Sequence, residues 1–307
     1  MPTLREATDK PKRMTGGHRM CAGCAAPVIV RQILYCTDAQ LVLGNATGCL
    51  EVATSIYPYS AWNVSWIHCA FENAAATLSG VESAYRSLKK QGKIKKDFKF
   101  VCFGGDGGTY DIGFQSLSGM LERGHNVLYV CYDNGAYMNT GIQRSSATPR
   151  GADTTTSPVG NTLVGKQQAR KDLTAIVAAH NIPYAAQASP SHYRDLMNKA
   201  QKALAVDGPA FLNVISSCPP GWHHEPELAM ELTRKAVETR FWPLFEVENG
   251  NWRMTYKPRH PVDLEEWLRP QGRFRHLFHP ENQALLEDVK SDVERNWQKI
   301  LQRCGEA

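Results

Sequence analysis

The sequence predicts a doubly wound α/β fold on a mostly parallel sheet, followed by a helical C-terminal arm. Short β-prone runs alternate with helical patterns through most of the chain. The plainest case is a run over 98–103, a helix bearing Ile112, Leu117, Met120 and Leu121, and a second run over 126–132. Both runs end in residues poor in side-chain bulk or rich in oxygen. These are Gly104-Gly105-Asp106-Gly107-Gly108 after the first and Asp133-Asn134 after the second. In open parallel sheets that strand end is where ligands collect. A chain of 307 residues with 42% hydrophobic content can bury the core such a sheet needs.

Taken in order, residues 1–16 are polar, carry Pro2 and Pro11, and are expected to form an extended arm. A loop over 17–24 leads into a helix over 27–35. A short strand over 41–44 delivers Asn45-Ala46-Thr47-Gly48-Cys49. A strand over 65–69 precedes a helix over 71–89, whose Ala74-Ala75-Ala76 permits close packing. After Asn139 comes a loop over 145–171, rich in Thr, Gly and Ser. It is long enough to be functional or interface-forming, with a plain surface excursion as the alternative. A helix over 172–180 starts at Asp172, followed by a strand over 184–186, a helix over 193–206 and a buried strand over 210–215 that delivers Cys218. The α/β domain is therefore placed at 17–222. From 225 the character changes to a helix over 225–240, then Trp242-Pro243-Leu244-Phe245, then an amphipathic helix over 281–302. The 223–307 stretch shows no chemistry and reads as an extension that wraps against partner subunits.

Composition narrows the function. A net charge of +5 is mild, and the basic clusters Lys89-Lys90 and 93–96 read as solvated surface, not a nucleic-acid footprint. No apolar run is long enough to span a membrane, and the N-terminus has no hydrophobic signal core, so a cytoplasmic location is expected. Nine cysteines then suggest thiols kept reduced. Cys36, Cys69, Cys102, Cys131 and Cys304 lie in apolar or amphipathic runs and read as core or incidental thiols. Cys21, Cys24, Cys49 and Cys218 lie among Gly, Pro and Ala in loops.

The chemistry-bearing candidates follow from these positions. Adjacent parallel strands would bring Asp106 and Asn134 together, a carboxylate and an amide oxygen suited to Mg²⁺, with glycine amides open to phosphate oxygens. A bare Gly-rich turn is the alternative. A dinucleotide fingerprint starting at Gly105 fails because position 110 is Tyr110, and the P-loop look-alike at 160–166 fails because Gln167 replaces the hydroxyl residue. Cys21-Ala22-Gly23-Cys24 alone is open to three readings, a redox disulfide, half a zinc site or half an iron–sulfur site. Cys49 and Cys218 supply two further thiols, and Cys218-Pro219 matches the Cys-Pro that closes many cluster motifs. His68 and Glu72 are weaker acid–base candidates, and His223-His224 reads as a polar loop.

Gly105-Asp106-Gly107 with Asn134 resembles the thiamine-diphosphate fingerprint. Its neighbours come in the order of one family: Cys-Ala-Gly-Cys at 21–24, Ala-Thr-Gly-Cys at 46–49, Ala-Phe-Glu-Asn-Ala-Ala at 70–75, Tyr-Met-Asn-Thr-Gly-Ile-Gln-Arg-Ser at 137–145 and Ser-Cys-Pro-Pro-Gly-Trp at 217–222. Over about 17–246 the chain resembles the β subunit of a 2-oxoacid:ferredoxin oxidoreductase of the pyruvate type. The resemblance implies a thiamine-diphosphate-binding domain in which Asp106, Asn134 and the Ala136 carbonyl hold Mg²⁺. It implies that Thr47, Gly48, Gly105, Gly107, Gly108, Tyr137 and Thr140 line the cofactor, and that Asn139 reaches the reacting carbon as the catalytic residue. It implies that Cys21, Cys24, Cys49 and Cys218 ligate a [4Fe–4S] cluster. The expected reaction is oxidative decarboxylation of pyruvate to acetyl-coenzyme A and CO₂, with electrons passed to ferredoxin. The expected partners are an α subunit supplying an activating Glu, and γ and δ subunits or fusions of them. Gly135 departs from the pyruvate pattern, which usually has an acidic residue there, so oxalate and branched-chain oxoacids stay open. A non-redox thiamine-diphosphate lyase or synthase also fits the fingerprint alone.

Overall fold

In the computed structural model, which describes residues 4–160 and 162–306, the alternation of β and α patterns resolves into one eight-stranded sheet. The strands are β1 (Gln40–Ala46), β2 (Ser65–Cys69), β3 (Phe98–Gly105), β4 (Val127–Asp133), β5 (Tyr184–Ala188), β6 (Ala210–Ile215), β7 (Leu244–Glu248) and β8 (Asn251–Tyr256). Their order is β2-β1-β3-β4-β6-β5-β7-β8. The first six pair in parallel, and β7 and β8 add an antiparallel edge. The helices are α1 (Leu4–Asp9), α2 (Ala26–Leu34), α3 (Cys49–Thr54), α4 (Ala74–Lys90), α5 (Phe114–Glu122), α6 (Leu173–Ala178), α7 (Tyr193–Ala205), α8 (Pro219–Trp222), α9 (Ala229–Glu238), α10 (Glu265–Leu268) and α11 (Gln283–Arg303).

Helices cover both faces, which is why β4 and β6 are apolar and buried along their whole length. On one face α2 and α7 bury Ile29, Val30, Ile33, Leu196 and Met197 against Leu43, Val101 and Val130. On the other, α4, α5 and α6 bury Leu78, Leu117, Met120 and Val177 against Phe100, Cys102 and Phe211. From β1 the chain first steps outward to β2, then returns to build β3 and β4 on the other side. The direction reverses between β1 and β3, the switch point where such sheets open a crevice. The C-terminal ends of β1, β3, β4 and β6 all face that edge.

The structure departs from the sequence reading in four places. Residues 4–9 form a short helix instead of an extended arm, with residues 1–3 outside the described residues. A π-helical turn, Gly107–Ile112, precedes α5, so Ile112 is exposed while Leu117, Met120 and Leu121 are buried. Helix α4 begins at Ala74, after Phe71 and Glu72. The largest difference is at the C-terminus. Leu244 to Glu248 was not expected to be a strand, because Trp242-Pro243 and the Arg-rich run beyond it hide a five-residue alternation. Here β7 pairs with β5, and β8 closes on β7. The following residues also pack inward: Trp267, Leu268, Phe274, Leu277 and Leu286 form a core with Trp222, Trp242 and Leu232.

Candidate functional site

The site begins at the end of β3. Asp106 is fully buried beneath the strand edge. Its Oδ1 accepts from the Asn134 N–H at 3.2 Å, and its Oδ2 accepts from the Ser145 hydroxyl at 2.5 Å. Gly135 has φ +76°, a value that favours glycine, and the turn it makes sets Asn134 and Ala136 side by side. One atom of the Asn134 amide lies 2.9 Å from Asp106 Oδ1 and 2.9 Å from the Ala136 carbonyl oxygen. With its nitrogen there, the amide donates to both. Turned over, it presents its oxygen to the same point, and the carboxylate, the amide and the carbonyl then offer three oxygens to a cation. Adjacent ligands of an octahedral Mg²⁺ at about 2.0–2.1 Å stand about 2.9 Å apart, so the donor set and its spacing fit that ion.

The charge balance points the same way. Two buried carboxylates, Asp106 and Asp133, lie together; among the described residues Arg170 pairs with Asp133, no cation pairs with Asp106, and the buried Arg273 acts on both without pairing with either. Burial, then repulsion from Asp133, push the Asp106 carboxyl well above the ordinary carboxylate range, while Ser145 and the Asn134 amide pull it back. A divalent ion would remove that penalty.

Above Asp106 is a small cavity of about 30 Å³, room for about one water molecule. Gly105, Gly107 and Gly108 form one wall, Thr47, Gly48 and Cys49 another, and Asn134, Ala136, Tyr137, Asn139 and Thr140 a third. Every residue proposed from the sequence to line the cofactor therefore meets here, with Asp106 directly beneath. Phe71, Tyr132 and Met138 also line it and were not singled out. Thr47 bonds His68 Nε2 at 3.0 Å, and His68 leans on Glu51 at 3.5 Å, so this imidazole props the loop after β1. Glu72 is exposed. His224 Nδ1 faces the Glu225 carbonyl oxygen at 2.8 Å, as expected of a polar loop.

The loop left undecided by the sequence, 145–171, proves to fold over the 134–136 turn. Thr148 donates to the Gly135 carbonyl at 2.7 Å, and Ser146 bonds Asp111. Lys166, from the P-loop look-alike, is buried, donates to Thr148 O at 2.6 Å, and has its pKa pulled down to about 7 by burial. It braces this loop and faces no open crevice. Arg170 stacks between Tyr110 and Trp242 and holds Asp133. Ser145 closes the 137–145 motif but was given no role, and no motif marked Arg170, because both roles depend on where a long loop returns.

The four loop cysteines gather beside this cavity. Cys24 N–H donates to Cys21 O at 3.1 Å, and the next amide, Ala25, donates to Ser217 O at 3.3 Å, tying the first cysteine loop to the one after β6. Burial lifts the Cys24 thiol to about 12, and charge on Cys218, Cys49 and Cys21 adds to the effect. Cys218 is lifted to about 12 in the same way, by burial and then by Cys49 and Cys21. Each thiol thus feels the others. Among the described residues no three His, Cys, Asp or Glu side chains close tightly enough to grip one ion. A single tetrahedral zinc draws its sulfurs to within about 4 Å of one another, whereas a four-iron cluster holds them wider. The hydroxyls of Tyr132 and Ser217 are buried here with no hydrogen-bond partner. Such orphans are what a cluster's sulfurs would accept from, so the residues fit that group. Asn139 and Cys49 line the same cavity, which joins the cysteine set to it. By contrast Cys36, Cys69, Cys102 and Cys131 are buried in the core, and Cys304 packs against it.

Comparison with known proteins agrees with this geometry. The family model for the thiamine pyrophosphate enzyme C-terminal TPP binding domain matches residues 46–214. The chain is 53% identical to pyruvate synthase subunit PorB of Thermotoga maritima, covering 97% of this chain and 94% of that one. It is 50% identical to the PorB subunit of Methanocaldococcus jannaschii over 94% of each, and 41% identical to ketoisovalerate oxidoreductase subunit VorB of Pyrococcus abyssi over 91% and 90%. In fold it resembles the 2-oxoglutarate:ferredoxin oxidoreductase from Magnetococcus marinus, with a TM-score of 0.57 at 22% identity over 74% of this chain and 80% of that one. The strand order, the oxygens at the switch point and these relatives converge on one assignment: the chain belongs to the β-subunit family of the 2-oxoacid:ferredoxin oxidoreductases, built on the TPP-binding domain of the thiamine pyrophosphate enzymes.

Proposed function

We propose that this chain holds thiamine diphosphate, Mg²⁺ and one [4Fe–4S] cluster within a multi-subunit, coenzyme A-dependent pyruvate:ferredoxin oxidoreductase. The observation that carries the reading is the convergence of Asp106, Asn134 and the Ala136 carbonyl at the sheet's switch point, beside four facing cysteines. Thiamine diphosphate would supply the carbanion chemistry that releases CO₂ from a 2-oxoacid. The chain's own residues would do the rest. Asp106, Asn134 and Ala136 would hold the metal, and the amides of Gly105, Gly107 and Gly108 would take diphosphate oxygens. Thr47, Gly48, Tyr137 and Thr140 would fix the cofactor's position. Asn139, held against Cys49, would direct its amide at the reacting carbonyl. Cys21, Cys24, Cys49 and Cys218 would carry the cluster that takes electrons toward ferredoxin.

A cavity of about 30 Å³ is far smaller than a cofactor-sized pocket. The remaining walls would come from an α subunit, which would also supply the activating Glu. The exposed Ile112 and Tyr57 suit such a covered face, as would γ and δ subunits docked on the 223–307 extension. No helix among the described residues is long and apolar enough to cross a membrane, and the enzyme would work in the cytoplasm. Family membership sets aside the non-redox lyase or synthase. A branched-chain oxoacid is the second reading, favoured by Gly135 in place of an acidic residue and by the 41% identity to a ketoisovalerate oxidoreductase subunit. Oxalate is a weaker third.

The test is a panel of 2-oxoacids given to the anaerobically purified complex, with coenzyme A and ferredoxin. Pyruvate should have the highest kcat/KM, and the chain expressed alone should turn over none of them. Preference for 2-oxoisovalerate would move the assignment to the second reading. Turnover by the lone chain would end the half-site argument.

A further inference from the structure

Arg273 comes from the C-terminal extension, in the 3₁₀ turn Gly272–Phe278, yet it lies against the loops of the site. Gly272 N–H donates to His223 O at 3.0 Å, and a Cβ at 272 would stand 2.7 Å from the His223 Cβ. Only glycine lets this turn lie on the 218–223 turn. The next side chain, Arg273, is 2% exposed. Its guanidinium lies 4.3 Å over Trp222 and donates twice to one neutral acceptor, Gln271 Oε1, at 3.0 and 2.8 Å. Among the described residues no carboxylate forms an ion pair with it. A guanidinium buried without an anion is costly, so a missing negative partner is the natural reading. Arg273 Nη1 stands 3.1 Å from where a Cβ on Gly135 would be, and its turn lies on the one that carries Cys218, so the negative groups that act on it are Cys218, Asp133 and Asp106. Asp133 is already paired with Arg170, and Asp106 faces the converging oxygens. That leaves Cys218, carried on the turn that Gly272 and Arg273 pack against.

We infer that Arg273 is the counter-charge of the four-cysteine centre and raises its reduction potential. The inference rests on the cluster reading proposed above. Four thiolates around a four-iron core carry net negative charge, which grows by one unit when the centre takes one electron. That electron comes from oxidation of the 2-oxoacid and leaves to ferredoxin, so the centre returns to its starting charge. Arg273, fixed and desolvated, stabilises the more negative form, because nearby charge is strongest where water is excluded. A role confined to packing against Trp222 and Trp267 would leave the potential where it is.

The experiment is an EPR-monitored redox titration of the anaerobic holo-complex carrying Arg273→Met, with Arg273→Lys and Cys218→Ser beside it. Arg273→Met should keep its iron and shift one cluster to lower potential by at least tenfold in its reduction equilibrium, about 59 mV for one electron. Arg273→Lys should stay near wild type. If Arg273→Met weakens folding and loses iron, the lysine variant decides: iron and potential retained support the charge role, and a shifted potential despite the retained charge overturns it. An unchanged midpoint in Arg273→Met with full iron would overturn the inference, as would loss of thiamine diphosphate at an unchanged midpoint, which would assign the charge to the diphosphate side. Full iron in Cys218→Ser would instead show that the cluster reading itself is wrong.

Discussion

Cys49 and Cys131 are both free thiols among buried or half-buried neighbours, but their surroundings differ in kind. Cys131 is fully buried on β4, in register between Gly104 of β3 and Asn213 of β6. Cys49 opens α3, lines the cavity beside Asn139, and is acted on by Cys21. The two thiols should therefore separate cleanly. Cys131→Ser buries a hydroxyl and should cost about 1–3 kcal/mol of stability with the iron content unchanged. Cys49→Ser should lower the iron of the purified complex by about four atoms, or leave a three-iron signal in EPR. The reverse pattern would put the cluster elsewhere. The loop cysteines were legible in the sequence because Gly, Pro and Ala surround them. The roles of Ser145, Arg170 and Arg273 were not, since each lies far along the chain from its partner; Ser145 ends a motif that says nothing of Asp106, and the two arginines carry no local motif.

Strand β7 shows what a strand can hide. Its Glu246 is buried at the sheet's antiparallel edge, where it accepts from the Tyr184 hydroxyl at 2.7 Å and from Lys202 at 2.9 Å, and it pairs with Arg253. Burial alone would raise its pKa. The Lys202, Tyr184 and Arg253 bonds overcome that and hold the carboxyl at about 2, below its ordinary 4.5. A depressed folded-state pKa means stability that is present above about pH 4.5 and is lost as pH falls through about 2. Lys202 and Arg253 are partly exposed, which screens the gain to about 2 kcal/mol. Glu246→Gln should lower the unfolding free energy measured in urea at pH 7 by that much, and the gap should narrow steadily toward pH 2. Equal midpoints at pH 7 would show that this network does not anchor the edge. The parallel strands were readable as continuous apolar runs closed by polar ends. β7 and β8 alternate charged and apolar residues beside Trp242-Pro243, a pattern shared with exposed helices and loops, and only their pairing on β5 separates the two.

At the scale of the whole molecule, one sheet edge gathers what the chain holds apart. β1 brings Thr47 to Cys49, β3 brings Asp106, β4 brings Asn134 and Ala136, and β6 brings Cys218. Trp222 Nε1 donates to Asn134 O at 2.6 Å, tying the last of these loops to the 134–136 turn. In the function proposed above, the oxygens of Asp106, Asn134 and Ala136 and the four cysteines come from different loops, so damage to one set should spare the other. The direct measurement is the thiamine diphosphate, magnesium and iron content of the complex assembled with Asp106→Ala, beside wild type. Without that carboxylate the oxygens of Asn134 and Ala136 have no anion to complete a Mg²⁺ site, so thiamine diphosphate and magnesium should fall together while iron stays at the wild-type level. Full thiamine diphosphate in the variant, with normal turnover, would contradict the account.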